Sequence, residues 1–413
     1  MKARATCFLL GLSLAGLLVV LPASGQQTSS STAGPTIQAS AAAPADPQAT
    51  PPAAAPPTWS IGPIDFAGTI DGYYSFNANH PDDKTNFLYN FNIPANTFSL
   101  NLLKLELSHT ADPVGFDVAF MYGDTATQIG GVATSDSGFD KFVEQAIVTF
   151  KPAKAHGFEI DFGKFVTSAG AEVIESYSNW NYSRSLLFSW AIPYFHFGVR
   201  TSWPMGKHLT GGFQVVNGWN NDFSANSRAT LGANVMATYS KWSLMETWYG
   251  GPVNPDRRGW RELFDTVLTV TPSSKFSAYL NYDWAQNRNF GLFGLFPNGS
   301  LAKWQGVAAA FHFQPTSKWA FTPRIEWFDD RQGFAMAGAG IDGSTVPDQQ
   351  VKEFTFTGEY KLLEGLMWRG EYRYDWSDKP FFERGLPAPS PGFAVKNQQT
   401  ATVAFIGYFG PKR

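Results

Sequence analysis

Leu366-Met367-Trp368-Arg369-Gly370-Glu371-Tyr372-Arg373-Tyr374-Asp375-Trp376 separates two chemistries by alternation. Leu366, Trp368, Gly370, Tyr372, Tyr374 and Trp376 share one parity. Met367, Arg369, Glu371, Arg373 and Asp375 share the other. A strand sends successive side chains to opposite faces, so this segment makes one aromatic face and one ionic face. The pattern recurs. Trp319, Phe321, Pro323, Ile325 and Trp327 oppose Thr322, Arg324 and Glu326. Phe276, Ala278, Leu280, Tyr282 and Trp284 oppose Tyr279, Asn281 and Asp283. Val114, Phe116, Val118, Phe120 and Tyr122 oppose Gly115, Asp117 and Ala119, and Phe195, Phe197 and Val199 oppose His196 and Arg200.

The connections between these segments alternate in length. Short ones fall at 110–113, 151–157, 204–207, 240–241, 271–275, 314–318 and 362–365. Long ones fall near 77–96, 124–140, 167–193, 217–228, 250–260, 287–303, 331–350 and 377–396. This rhythm predicts about sixteen strands, with tight turns on one rim and long loops on the other. The expected fold is all-β: a transmembrane antiparallel up-and-down β-barrel with short periplasmic turns and long extracellular loops. Closure has a physical cause. Lipid offers no hydrogen bonds, so no strand edge can stay unpaired. Trp203, Trp242, Trp248, Trp319, Trp368 and Trp376 lie near strand ends, where amphipathic rings suit the membrane interface. In residues 98–107 the apolar parity shifts between Leu102 and Leu103, which predicts a bulge there. The face of 264–270 is ambiguous.

Composition agrees. The 413 residues are 16% aromatic and only 16% charged, against about a quarter charged in ordinary soluble domains. Mean hydropathy is nevertheless −0.18, and beyond the first two dozen residues no apolar run approaches the roughly 18 residues of a membrane helix. The near-balanced charge of −3 argues against a nucleic-acid partner. A soluble β-sandwich would also alternate, but aliphatics rather than Trp, Tyr and Phe usually dominate its buried face.

The ends differ from the body. Lys2 and Arg4, an apolar stretch from residue 8 to 21 and the small residues Ala23-Ser24-Gly25 read as a secretory signal peptide over 1–25. Residues 26–58, rich in Ala, Pro, Ser and Thr, read as a disordered linker. The barrel is expected over 59–413. Cys7, inside the leader, is the one cysteine, so disulfides and thiol chemistry are excluded from the mature chain.

A barrel of this size encloses a lumen. Alternation makes Arg200, Arg324, Glu326, Glu359, Arg369, Glu371, Arg373 and Asp375 the expected pore-lining residues, with Asp71 and His196 also inward. The 167–193 loop carries Val, Ile, Trp and Tyr and is expected to pack against something. Folded into the lumen, it would place Glu172, Glu175 and Arg184 at a constriction; folded outward, it would lid the mouth. Asn217-Gly218-Trp219-Asn220-Asn221 could stack a sugar ring. His196 and His312 face inward beside Phe residues, and no residue pattern marks a metal or cofactor site, so no enzyme activity is expected.

Asp161-Phe162-Gly163-Lys164-Phe165, Gly170-Ala171-Glu172, Asn181-Tyr182-Ser183-Arg184-Ser185-Leu186-Leu187-Phe188, Pro193 and His196-Phe197-Gly198-Val199-Arg200 together resemble the signature of the OmpL-like β-barrel porin family. Val143–Phe150 resembles the strand preceding it. The resemblance implies a pore in the bacterial outer membrane, bathed by outer-membrane lipid and passing small hydrophilic solutes or ions by passive diffusion. Barrels of this strand number are often trimers, so it also implies a homo-oligomer. The alternative is a non-conducting barrel that binds a sugar or protein through its loops. Phe405 and Phe409 alternate as a terminal strand should, but Gly410-Pro411-Lys412-Arg413 departs from the usual aromatic ending.

Overall fold

The computed structural model describes residues 59–132, 138–252, 259–288, 299–336, 349–386 and 394–410. The expected leader and linker, 1–58, lie outside the described residues. Sixteen strands form the wall: β1 (Ile64–Asn77), β2 (Thr97–His109), β3 (Val114–Tyr122), β4 (Val143–Phe150), β5 (Glu159–Val166), β6 (Phe195–Pro204), β7 (Leu209–Val216), β8 (Thr230–Tyr239), β9 (Trp242–Gly251), β10 (Arg261–Ser273), β11 (Phe276–Arg288), β12 (Leu301–Phe313), β13 (Trp319–Asp330), β14 (Gln349–Leu363), β15 (Leu366–Ser377) and β16 (Asn397–Phe409). Each pairs antiparallel with its sequence neighbour. β16 pairs with β1 from Thr400↔Asn77 to Phe409↔Gly68, which closes the barrel and leaves no open edge. A two-residue strand, Ser60–Ile61, lies against the start of β1.

Alternation survives closure. Along β15, Met367, Arg369, Glu371, Arg373 and Asp375 are buried inside, while Tyr372 is exposed outside. The parity break in β2 is a bulge at Asn101, one residue before the expected pair: Asp71 faces Leu102, and Gly72 faces Leu100. Phe98, Leu100, Leu103 and Leu105 thereby all turn outward, and Leu102 turns in. In β10, Phe264 and Leu268 face out, and Leu263, Asp265 and Val267 face in. Phe195 breaks the pattern. It is buried at the loop rim, where the Lys164 ammonium sits 4.2 Å from its ring centroid.

Aromatic rings gather at both rims. On the turn side Tyr239 stacks between His208 (4.3 Å) and Trp242 (4.6 Å), and Trp319 meets Tyr360 at 4.6 Å. On the loop side Tyr374 stacks on Trp376 at 5.3 Å. One helix, α1 (Asp124–Val132), lies in the connection after β3. Its Ala126 and Ile129, one turn apart, join Leu102 and Met121 in the interior.

Candidate functional site: the loop held inside the barrel

The connection from β5 to β6, residues 167–194, packs against the inward faces of the strands. Its descending arm follows β10 and β11: the Gly170 N–H donates to Asp265 Oδ2 (2.9 Å) and the Ala171 N–H to Asn281 Oδ1 (3.1 Å). The tip reaches the turn rim. There Tyr177 stacks on Tyr408 (5.5 Å, 10° between planes), whose own N–H donates to Gly365 in the turn between β14 and β15. Trp180 lies against Tyr279 (5.4 Å) and His312 (5.2 Å).

The ascending arm runs up β13–β15, where the wall grips its main chain. Arg369 donates to the carbonyls of Ser176 (2.5 Å), Asn179 (2.6 Å) and Asn181 (3.3 Å). Glu371 accepts the N–H groups of Tyr182 (2.6 Å) and Ser183 (2.9 Å). Arg324 and Arg373 donate to the carbonyls of Ser183 and Arg184, both at 2.7 Å. Glu326 accepts the N–H of Leu186 (2.8 Å) and Leu187 (3.3 Å). A connection buried inside a barrel must satisfy its backbone with something other than a sheet ladder, and these ionic side chains supply that. Each charge-assisted bond contributes about 1.5–3 kcal/mol.

The charges also satisfy one another. Arg324 pairs with Glu172 (2.7 Å), Glu326 (3.0 Å) and Glu353 (3.1 Å); Arg373 with Asp375 (2.8 Å) and Glu353 (3.1 Å); Arg369 with Glu359 (2.6 Å). Buried charges are tolerable only when paired this fully. All seven expected lining residues on β13–β15 face inward, at most 6% exposed, beneath the loop. Arg200 faces inward on the opposite wall, bound to Asp161 at 2.7 Å, and remains partly accessible.

Of the three loop charges, Glu172 accepts the Ser185 N–H (2.6 Å) besides Arg324, and Glu175 pairs with Lys104. Arg184 folds back on the carbonyls of Tyr182 (2.6 Å), Val173 and Ile174, with its guanidinium over Phe91 (4.8 Å). Asp71 accepts hydrogen bonds from Ser176 (2.6 Å) and Tyr182 (2.9 Å) of the loop. His196 and His312 bind the Gly218 carbonyl and the Thr322 hydroxyl through Nδ1, at 2.8 and 2.9 Å.

Three anchors escaped the sequence reading: Asp265, Lys104 and Glu144, the last two 2.6 Å apart; parity places Asn281 on the polar face but gives it no role. Lys104 alternates with Leu103 and Leu105 and so carries a parity signal, whereas Asp265 lies in the stretch whose face the sequence leaves ambiguous. Above the clamps, apolar side chains from five connections, among them Phe91, Ile129, Phe188, Met336 and Phe382, join Leu263, Trp304 and Phe328 of the wall in one cluster. On the β6–β9 side the inward Ser202, Asn234, Thr238 and Ser243 stay accessible to solvent.

A closed sixteen-strand barrel with an ionic inner face and an inward loop defines a porin-type outer-membrane barrel. The family model described as beta-barrel porin-2, OmpL-like, matches residues 63–409, and the chain belongs to that family. Among solved structures the chain is similar to OmpT of Vibrio cholerae (13% identity, TM-score 0.52, 84% of this chain and 97% of that one). It is similar also to an anion-selective porin from Comamonas acidovorans (9%, 0.55, 84% and 99%) and to the outer-membrane channel DcaP of Acinetobacter baumannii (11%, 0.54, 84% and 97%). At these identities the likeness shows the barrel fold alone. No curated protein sequence matches the chain.

Proposed function

We propose that the protein is a non-enzymatic porin of the bacterial outer membrane that passes small hydrophilic solutes or ions by passive diffusion. The carrying observation is the clamped loop. Its main chain is fixed by Arg324, Arg369, Glu371 and Arg373, so the passage left is narrow and polar. The route follows the accessible wall of β6–β9, past Arg200, Ser202, Asn234 and Thr238. Glu172, Glu175 and Arg184 set the loop's conformation there more than they front open water. The long loops are extracellular, lipid covers the aromatic exterior, and a homo-oligomer is compatible with that exterior.

Reconstitution in a planar bilayer tests this. The expected result is stepwise conductance, small for a sixteen-strand barrel, that rises when the clamp is cut by Arg369→Ala. Silent membranes from folded protein, in wild type and variant alike, refute it. The apolar cluster bridging five connections favours a second reading, a barrel that binds a sugar or protein partner without conducting. That reading predicts silent bilayers with saturable binding.

A further inference from the structure

Most guanidinium groups inside this barrel meet a carboxylate: Arg200, Arg324, Arg369 and Arg373 all do. Arg261 does not, among the described residues. It is the first residue of β10, at the loop-side mouth, and its register opposite Asn287 turns it inward. Its Nε donates to Asn287 Oδ1 at 3.2 Å. Its guanidinium lies over the rings of Trp219 (4.9 Å) and Phe334 (5.2 Å) and is partly buried. Trp304, buried in the apolar cluster, backs these rings, stacked on Phe334 at 5.3 Å and edge-on to Trp219 at 6.2 Å. Trp304 is itself pinned by its indole N–H on the Ala191 carbonyl (3.1 Å). The Trp219 indole N–H is buried and has no acceptor among the described residues.

Among the described residues the mouth therefore holds a cation without a carboxylate and an indole N–H without an acceptor side by side, against the rings of Trp219 and Phe334. Aromatic faces stabilise a cation but supply no acceptor for its N–H groups. A buried indole N–H ordinarily finds a partner too. Both deficits are met by one acceptor-bearing anion. A carboxylate matches the two-pronged edge of a guanidinium. A singly charged group also loses less hydration than a doubly charged phosphate on entering a ring-lined site. The rings would then cover a flat apolar body attached to it. We propose that Arg261, Trp219 and Phe334, backed by Trp304, form a binding site for a small ring-bearing carboxylate at the barrel mouth. The site lies outside the clamped loop, and it stands whether or not the barrel conducts.

Benzoate is the probe, with benzamide as its uncharged counterpart, titrated against the full chain in detergent and followed by saturation-transfer NMR. Benzoate should bind saturably, and benzamide about tenfold more weakly, as befits loss of charge-assisted bonds. Arg261→Gln should lower benzoate affinity by about the same factor. Trp219→Phe, which keeps a ring but removes the N–H, should weaken it in a variant that leaves the barrel wall untouched. Equal benzoate binding by wild type and both variants overturns the proposal. So does equal binding of benzoate and benzamide, and so does displacement of benzoate by inorganic phosphate at matched concentration. Because conductance plays no part, failed binding leaves the channel reading intact, and silent bilayers leave this site intact.

Discussion

Replacing Glu371 by Gln isolates the clamp from the wall. In the wild type, one carboxylate oxygen accepts the Tyr182 N–H (2.6 Å) and the Thr357 hydroxyl (2.7 Å), and the other accepts the Ser183 N–H (2.9 Å). All three partners are buried. Gln keeps the volume but has one acceptor oxygen, and its NH2 group would face a backbone donor. One charge-assisted bond is lost, another is weakened, and a buried N–H is left unmet, so the loss is about 2–4 kcal/mol. The sheet ladder of β15 is untouched, so the loss should fall on the loop and not on the barrel. Hydrogen exchange of the peptide spanning 182–187 measures it directly, since local opening can be far cheaper than global unfolding. Exchange should accelerate by about 30- to 800-fold, with β14–β16 unchanged. Unaltered exchange in a folded variant would refute the idea that wall charges hold the loop through its main chain.

Arg369→Ala should be more severe, because it removes three bonds to loop carbonyls and leaves buried Glu359 with only the more distant Lys361 ammonium, 3.9 Å away; loss of about 3–5 kcal/mol should appear as loop proteolysis and raised conductance. Gly163 has φ of 136° and sits against the Ala146 carbonyl, so Gly163→Ala should lower the temperature at which the barrel loses its compact form on unboiled gels. Val403, 48% exposed on the lipid face of β16, should cost about 2–4 kcal/mol when changed to Arg if it lies at the bilayer midplane, read by refolding titration into vesicles. Cys7 is the one cysteine in the sequence, so in a Cys7→Ser background single probes are clean: Asn234→Cys should react with a water-soluble thiol reagent, whereas Ala308→Cys, 1% exposed under the loop, should resist it.

Parity carried most of the wall. Trp368 and Arg369 announce opposite faces without any knowledge of their neighbours, because a strand's geometry is local. The bulge at Asn101 was legible for the same reason, as a parity break two residues wide. What covers the inner face was not legible. Arg324 meets Glu172 across 152 positions, and Glu371 meets Tyr182 across 189. Alternation says that a charge points inward and nothing about what lies opposite. Inward apolar residues such as Leu263 and Phe328 were the available clue. An open aqueous bore has little use for them, and a packed interior requires them.

Much of the clamp reads peptide groups, although Glu172, Glu175, Ser176 and Tyr182 are also held through their side chains. Carbonyls at 176, 179, 181, 183 and 184 and N–H groups at 170, 171, 182, 183, 186 and 187 exist whatever amino acid stands there, proline aside for the donors. Placement and composition are thus inherited separately. Loop positions held only through their main chain can therefore change side chain, one substitution at a time, while the wall residues that position them stay the same.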